Sequence, residues 1–244
     1  MTTPLPESVP YADGQFLDVH RPPAGTPGPV PVVLLWHGSG SDERDVLRPL
    51  ARAAADLGLL VLVPDWRPHL PDGGRADLLA SLAHARRAAA EFGGAGGGGD
   101  GGGGERLVLA GWSLGAKEAV GLATHPDTPA DLRPAAVVGI AGRYDTPTAT
   151  TGEATLPALA ARPSPVPLHL VHGAADEVVD VAHARELRAA APTASYLELP
   201  TDHAGVVMTA YSPEARRCLP ATAPAAVHAG RRTALAIAAA AGVS

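Results

Sequence analysis

Short apolar runs alternate with stretches of helical periodicity along almost the whole of this chain. Residues 15–19 read as a short early strand, and 21–29 as a Pro/Gly connection. The runs at 30–36, 59–63, 106–110, 135–140, 168–172 and 195–199 read as further strands. Several are continuously apolar, as in strands covered on both faces. Between and after them, 42–57, 75–92, 114–124, 182–191 and 224–240 carry helical patterns. The last opens on Pro224, which a first helical turn tolerates. Such alternation predicts a doubly wound, mostly parallel sheet with helices on both faces. The 244 residues suffice for one such domain, taken here as 1–244. Aromatics make up only 4% of the chain, so Val, Leu, Ile and Ala must build the core. Right-handed crossovers bring the C-terminal ends of parallel strands to one edge of the sheet, where open α/β sheets bind ligands. The residues just after each strand are therefore the ones to inspect.

After the run 106–110 comes Gly111-Trp112-Ser113-Leu114-Gly115, and a helical pattern follows at once. A G-x-S-x-G sequence between strand and helix marks a sharp, strained turn that lifts the serine hydroxyl clear of the sheet edge. Glycines on both sides let strand and helix pass close together. A serine hydroxyl is a weak nucleophile at neutral pH, so such a turn is useful only if a base and an acid arrive from elsewhere.

Two other strand ends supply candidates. Asp176 lies in the loop after 168–172, and His203 in the loop after 195–199. In chain order the set is Ser113, Asp176, His203. Nucleophile, acid, histidine is the order of α/β-hydrolases and differs from the two common serine-protease orders. In this reading His203 takes the proton from Ser113, and Asp176 fixes the imidazole tautomer. A tetrahedral intermediate would need donors for its oxyanion. The backbone N–H of Leu114 at a helix start is one. The loop His37-Gly38-Ser39-Gly40 offers the second, with Ser39 N–H the first choice and Gly38 the alternative.

Other residues have plainer roles. His37 reads as a structural residue holding its loop through the ring nitrogens. Trp36 and Trp112 fit either a pocket lining or core packing. Glu177 and Asp180 fit the opening of the next helix, and Asp202 a turn. Asp145 follows a strand and is a rival position for the acid. His169 and His172 read as sheet residues. Asp65 and His69 lack a third ligand at metal-binding spacing, and the single Cys218 has no activating neighbour pattern. No cofactor is expected. The nearly all-glycine tract 93–104 follows a helix and precedes a strand, the reverse of a phosphate-binding loop, and reads as a solvated linker. A net charge of −6 argues against a nucleic-acid surface. Residues 1–10 lack the apolar core of a signal peptide, and 233–243 is too short to span a bilayer, so a cytoplasmic, membrane-free protein is expected.

The chain resembles α/β-hydrolases of the esterase/lipase type, in the neighbourhood of carboxylesterases and dienelactone-hydrolase-like proteins. Phe16-Leu17-Asp18-Val19-His20-Arg21-Pro22, the His37–Gly40 loop, the Ser113 turn, Gly142-Arg143-Tyr144-Asp145 and His172-Gly173-Ala174-Ala175-Asp176 carry the resemblance. It departs at Ser39, where many relatives have a second glycine, and at Lys117, where the turn continues without a second small pair. The resemblance implies a small-molecule ester as substrate and an acyl-serine intermediate. Thioester, lactone or amide hydrolysis and acyl transfer use the same residues. A binding protein that keeps the fold without the chemistry is the alternative of a different class. The connection 143–167 is too short for a large helical lid, so little or no lid is expected. The oligomeric state is not legible.

Overall fold

A computed structural model describes residues 5–27, 30–88 and 107–243. The expected linker 93–104, the end of the 75–92 helix and the first residue of the 106–110 strand lie outside the described residues.

Among the described residues eight strands form one sheet: β1 (Glu7–Ala12), β2 (Gln15–His20), β3 (Val32–Trp36), β4 (Leu60–Pro64), β5 (Leu107–Trp112), β6 (Ala136–Ile140), β7 (Leu168–Gly173) and β8 (Ser195–Leu199). Their spatial order is β1-β2-β4-β3-β5-β6-β7-β8. From β4 to β8 all neighbours are parallel, while β1 and β2 form an antiparallel edge. The helices are α1 (Arg44–Ala55), α2 (Arg75–Ala88), α3 (Leu114–Thr124), α4 (Thr155–Ala161), α5 (Ala182–Ala190) and α6 (Pro224–Ala240).

Every residue of β3, β4, β5 and β6 is buried, and alternation along them decides only which helical layer each side chain meets. Leu34, Leu62, Leu109 and Leu170 pack with Leu78 and Leu82 of α2, Val120 of α3 and Leu187 of α5. Val33, Leu35, Val61, Val108 and Val138 pack with Leu47 and Leu50 of α1 and Ile237 of α6 on the other face. The sheet is thus covered on both sides. Strand order reverses at β3, which has β4 on one side and β5 on the other. The crevice at that switch point lies between the loop after β3 and the turn after β5.

Three features depart from the sequence expectation. Strand β1 was not foreseen. It is an edge strand, mostly exposed, and Pro10 interrupts its pattern. The segment 195–199 is the last strand of the main sheet but not of the chain. A separate antiparallel hairpin, β9 (Thr209–Ser212) and β10 (Arg217–Pro220), follows it. The connection after β6 contains α4, a seven-residue helix that packs against α3 and α5. No described helix is long and apolar enough to cross a membrane.

Candidate active site

The turn after β5 is built by exclusion. Ser113 sits at φ 56, ψ −119, a conformation that L-residues rarely adopt. Holding a residue there costs about 1–3 kcal/mol, which the surroundings must over-determine. The Ser113 N–H donates to Ile140 O at 2.9 Å, and α3 begins at the next residue. A Cβ on Gly111 would strike the backbone of Gly115, and one on Gly115 would strike the carbonyls of Trp36 and His37. Both glycines are therefore demanded by close backbone approach. Leu114 N–H belongs to the first turn of α3, where amides have no intrahelical acceptor and the helix dipole favours negative charge.

His203 and Asp176 meet from two separate strand ends. His203 Nδ1 lies 2.7 Å from Asp176 Oδ2. A carboxylate can only accept, so Nδ1 carries the proton and Nε2 is left with its lone pair. The other carboxylate oxygen, Oδ1, accepts the N–H groups of Val178 at 2.9 Å and Val179 at 2.8 Å. Burial alone would raise this carboxyl. The bonds from His172, His203 and Val179 outweigh it and hold Asp176 well below the usual carboxylate range.

His172, read from sequence as a sheet residue, is also part of this arrangement. Its ring is fully buried at the end of β7. Its Nε2 lies 2.9 Å from Val179 O and 3.3 Å from Asp176 Oδ2. One N–H can be shared between the two, so Asp176 is gripped by two imidazoles. The missed signal was the i, i+4 spacing of His172 and Asp176 across a strand end, which brings the two together only because the loop doubles back through Val179.

Trp112 ties the serine turn to the histidine loop. Its indole N–H donates to His203 O at 3.0 Å, and the two rings lie 5.0 Å apart, centre to centre. Among the described residues no hydrogen bond joins Ser113 Oγ to His203. Trp36 is core: it is fully buried and donates to Ser81 Oγ at 3.0 Å.

The rival acids are engaged elsewhere. Asp145 pairs with Arg143 at 2.6 and 3.0 Å, and that guanidinium lowers its carboxyl. Asp180 accepts Ala182 N–H at the start of α5, and Asp202 accepts Gly205 N–H within its own turn.

The loop 37–40 is anchored from below. His37 Nε2 accepts Trp66 N–H at 3.2 Å, which leaves Nδ1 as the donor facing Gly38 O at 3.1 Å. Trp66 Nε1 donates in turn to His37 O at 3.3 Å. Gly40 N–H is taken by Glu43 Oε2 at 3.0 Å, so Glu43 folds back on the loop instead of capping α1. Among the described residues nothing accepts the N–H groups of Gly38 and Ser39.

Burial holds His37 neutral, with its pKa lowered to about 4. His20, buried at the end of β2 beside Arg48 and Arg52, is likewise lowered to about 4. Unfolded, both would titrate near 6.5, so below that pH the unfolded chain binds more protons than the folded one. Folding stability is therefore expected to be full above about pH 6.5. It should fall by on the order of 3 kcal/mol per histidine as pH drops to about 4. Urea unfolding midpoints recorded from pH 7.5 to 4.5 check this, and a flat profile across that window would contradict it.

Beyond His203 opens a cleft of about 370 Å³. Ala175, Val178, Ala204 and the exposed Tyr211 give it apolar walls, with Glu177 and Asp202 beside them. The β9–β10 hairpin thus forms one side. Cys218 also lines this cleft; burial and the neighbouring Glu43 push its thiol up, away from the thiolate form. Behind the serine turn, the buried Glu118 of α3 accepts the N–H groups of Ala149 at 3.0 Å and Thr150 at 2.9 Å. Lys117, beside it, donates to Pro147 O at 2.9 Å. The departure at Lys117 thus fastens the connection after β6 to α3.

No protein-family model matches the sequence, and no curated protein matches it. Solved structures match by shape. Propionate-bound esterase 2 of the planctomycete Thermogutta terrifontis superposes with a TM-score of 0.69 at 15% identity, over 95% of this chain and 92% of that one. The same esterase phosphoramylated by tabun gives 0.64 at 17% identity, over 83% and 84%. A candidate dienelactone hydrolase of Klebsiella pneumoniae gives 0.63 at 20% identity, over 92% of each chain. The doubly wound sheet, the strained turn after β5 and these superpositions agree: the chain has the α/β-hydrolase fold.

Proposed function

We propose that this chain is a single-domain serine hydrolase that cleaves small or moderate carboxylic esters through an acyl-serine intermediate. The observation that carries this reading is the 2.7 Å approach of His203 Nδ1 to Asp176 Oδ2, which selects the tautomer of His203. Its Nδ1–H is committed to Asp176, so Nε2 is free to accept a proton. Ser113 attacks the ester carbonyl while His203 Nε2 takes the hydroxyl proton. The imidazolium then protonates the departing alkoxide, leaving the acyl group on Ser113. Water repeats the sequence: it gives its proton to His203, attacks the acyl-serine, and returns Ser113 with the carboxylic acid as product. Throughout, Asp176 stabilises the imidazolium. Leu114 N–H, with Ser39 or Gly38 N–H, receives the oxyanion.

The two esterase structures support the chemical class: one holds propionate, and the other is phosphoramylated by tabun. The cleft beside His203, about 370 Å³, is at the small end of ligand pockets and suits a short acyl or alcohol group. Helix α4 packs on α3 and α5, in keeping with an open site that needs no lipid surface.

A fluorophosphonate probe tests the reading directly. Stoichiometric labelling of Ser113, blocked by prior incubation with an ester substrate, is the expected result. A folded protein that stays unlabelled would instead be the fold without the chemistry, a binding module. Turnover of matched oxygen esters, thioesters and lactones then ranks the reactions that share this site.

A further inference from the structure

A second concavity lies at the opposite end of the sheet. Strand β2 runs antiparallel to β4, and its last residue, His20, pairs with Val61 near the start of β4. Val61 in turn pairs with Val33 near the start of β3. His20 is therefore at the N-terminal edge of the parallel strands, whereas Ser113 is at their C-terminal edge.

A cavity of about 300 Å³ opens there between β2 and α1. Three arginines, Arg21, Arg48 and Arg52, line it together with the apolar Leu5 and Val19. Arg21 is held by Glu7, also in the wall, at 2.9 Å, and Arg52 by Asp56 at 2.7 Å. Arg48 has no carboxylate partner among the described residues. The chain as a whole has a net charge of −6, so this concentration of cations is local.

Two buried polar atoms in the wall have no hydrogen-bond partner among the described residues: His20 Nε2 and Arg48 Nε. His20 is only 4% exposed. A buried donor or acceptor without a partner is costly, and natural proteins keep few of them. The two residues that carry these atoms, His20 and Arg48, both line the cavity, and a cationic cavity beside two uncommitted nitrogens matches the acceptor oxygens of an oxyanion.

We propose that this cavity binds a small organic anion, headed by a phosphate or carboxylate group. The Arg48 and Arg52 guanidinium groups hold the head group and His20 Nε2–H donates to it. The organic part rests on Leu5 and Val19. The site is separate from Ser113 and does not depend on the ester chemistry.

The test follows the ¹⁵N-labelled imidazole of His20 by NMR. Butyl phosphate, butyrate and inorganic phosphate are titrated at fixed ionic strength. A saturable, single-site shift at His20 is expected with the butyl-bearing anions. Butyl phosphate should bind more tightly than inorganic phosphate. Its order relative to butyrate assigns the head group. In Arg48→Gln the affinity should fall roughly tenfold or more, as expected for losing a charge-assisted hydrogen bond, while ester turnover is unchanged. Arg52→Gln guards against misfolding, because Arg52 is half-exposed and its surface ion pair adds little stability. No saturable shift with any of the three anions would overturn the proposal. So would binding of undiminished affinity in both variants. Equal affinity for butyl phosphate and inorganic phosphate would remove the organic part of the ligand.

Discussion

Ser113→Ala is expected to lower kcat for ester hydrolysis by on the order of 10⁶, the cost of removing the nucleophile of a well-studied serine hydrolase. The fold should survive. Ser113 Oγ makes no hydrogen bond among the described residues, and the N–H bond to Ile140 O belongs to the backbone. Alanine also meets the same strain at φ 56 that serine does. Ser113→Gly is the sharper companion. Glycine adopts positive φ without steric cost, so this variant should be as inactive as the alanine and somewhat more stable, within the roughly 1–3 kcal/mol stored at such a position. Thermal unfolding measured beside turnover on an activated ester separates the two effects. Near-wild-type turnover in a folded Ser113→Ala protein would sink the assignment of the nucleophile.

The parts of this fold that can be read from sequence are those whose determinants are local. The runs that became β3 to β6 are apolar throughout because both faces are covered. The limits of α3 and β8 fall where glycine, proline or a change of period marks them. The serine turn was legible because backbone contact demands Gly111 and Gly115, leaving a trace in the residue type itself.

What escaped has determinants that are weak or distant. Strand β1 lies largely exposed at the sheet edge, and β9 and β10 have four residues each, for the most part exposed or half-exposed, so they carry little hydrophobic signal. Helix α4 spans seven residues with Pro157 in its first turn, below the length at which helical period is readable. Strand β5 runs on through Gly111 and Trp112 because β6 offers Gly139 and Ile140 to pair with them, which no local pattern could announce. The same holds for the candidate site. Ser113, Asp176 and His203 were each located by the strand they follow. The grip of His172 on Asp176 and the bond from Trp112 to His203 depend on how loops from three strands return, and neither is written in spacing alone.

Asp176→Asn is expected to lower kcat by about 10⁴, the loss recorded when the orienting carboxylate of a protease triad becomes an amide. The geometry explains why the amide has no acceptable orientation. Two N–H groups, from Val178 and Val179, point at Oδ1; His203 Nδ1 and His172 Nε2 approach Oδ2. An asparagine keeps one acceptor oxygen. If that oxygen stays with the backbone N–H groups, the NH₂ faces both histidines. His203 must then move its proton to Nε2, where it can no longer accept one from Ser113, and the shared N–H of His172 is opposed as well. If the amide flips, the NH₂ collides with two backbone donors, and the loop that places the residue is disturbed. His203→Ala should be at least as damaging, because it removes the base itself. Asp180→Asn and Asp202→Asn should be mild, since an amide oxygen can still accept the N–H groups of Ala182 and Gly205. Asp145→Asn weakens a pair with Arg143 and a longer contact with His183, at 3.8 Å, at a partly exposed position. Measuring kcat/KM for all five variants on one activated ester, with unfolding midpoints alongside, decides between carboxylates. A crippled Asp145→Asn beside an active Asp176→Asn would move the acid to the loop after β6. A wild-type rate in Asp176→Asn would mean that the tautomer of His203 is set by something other than this carboxylate.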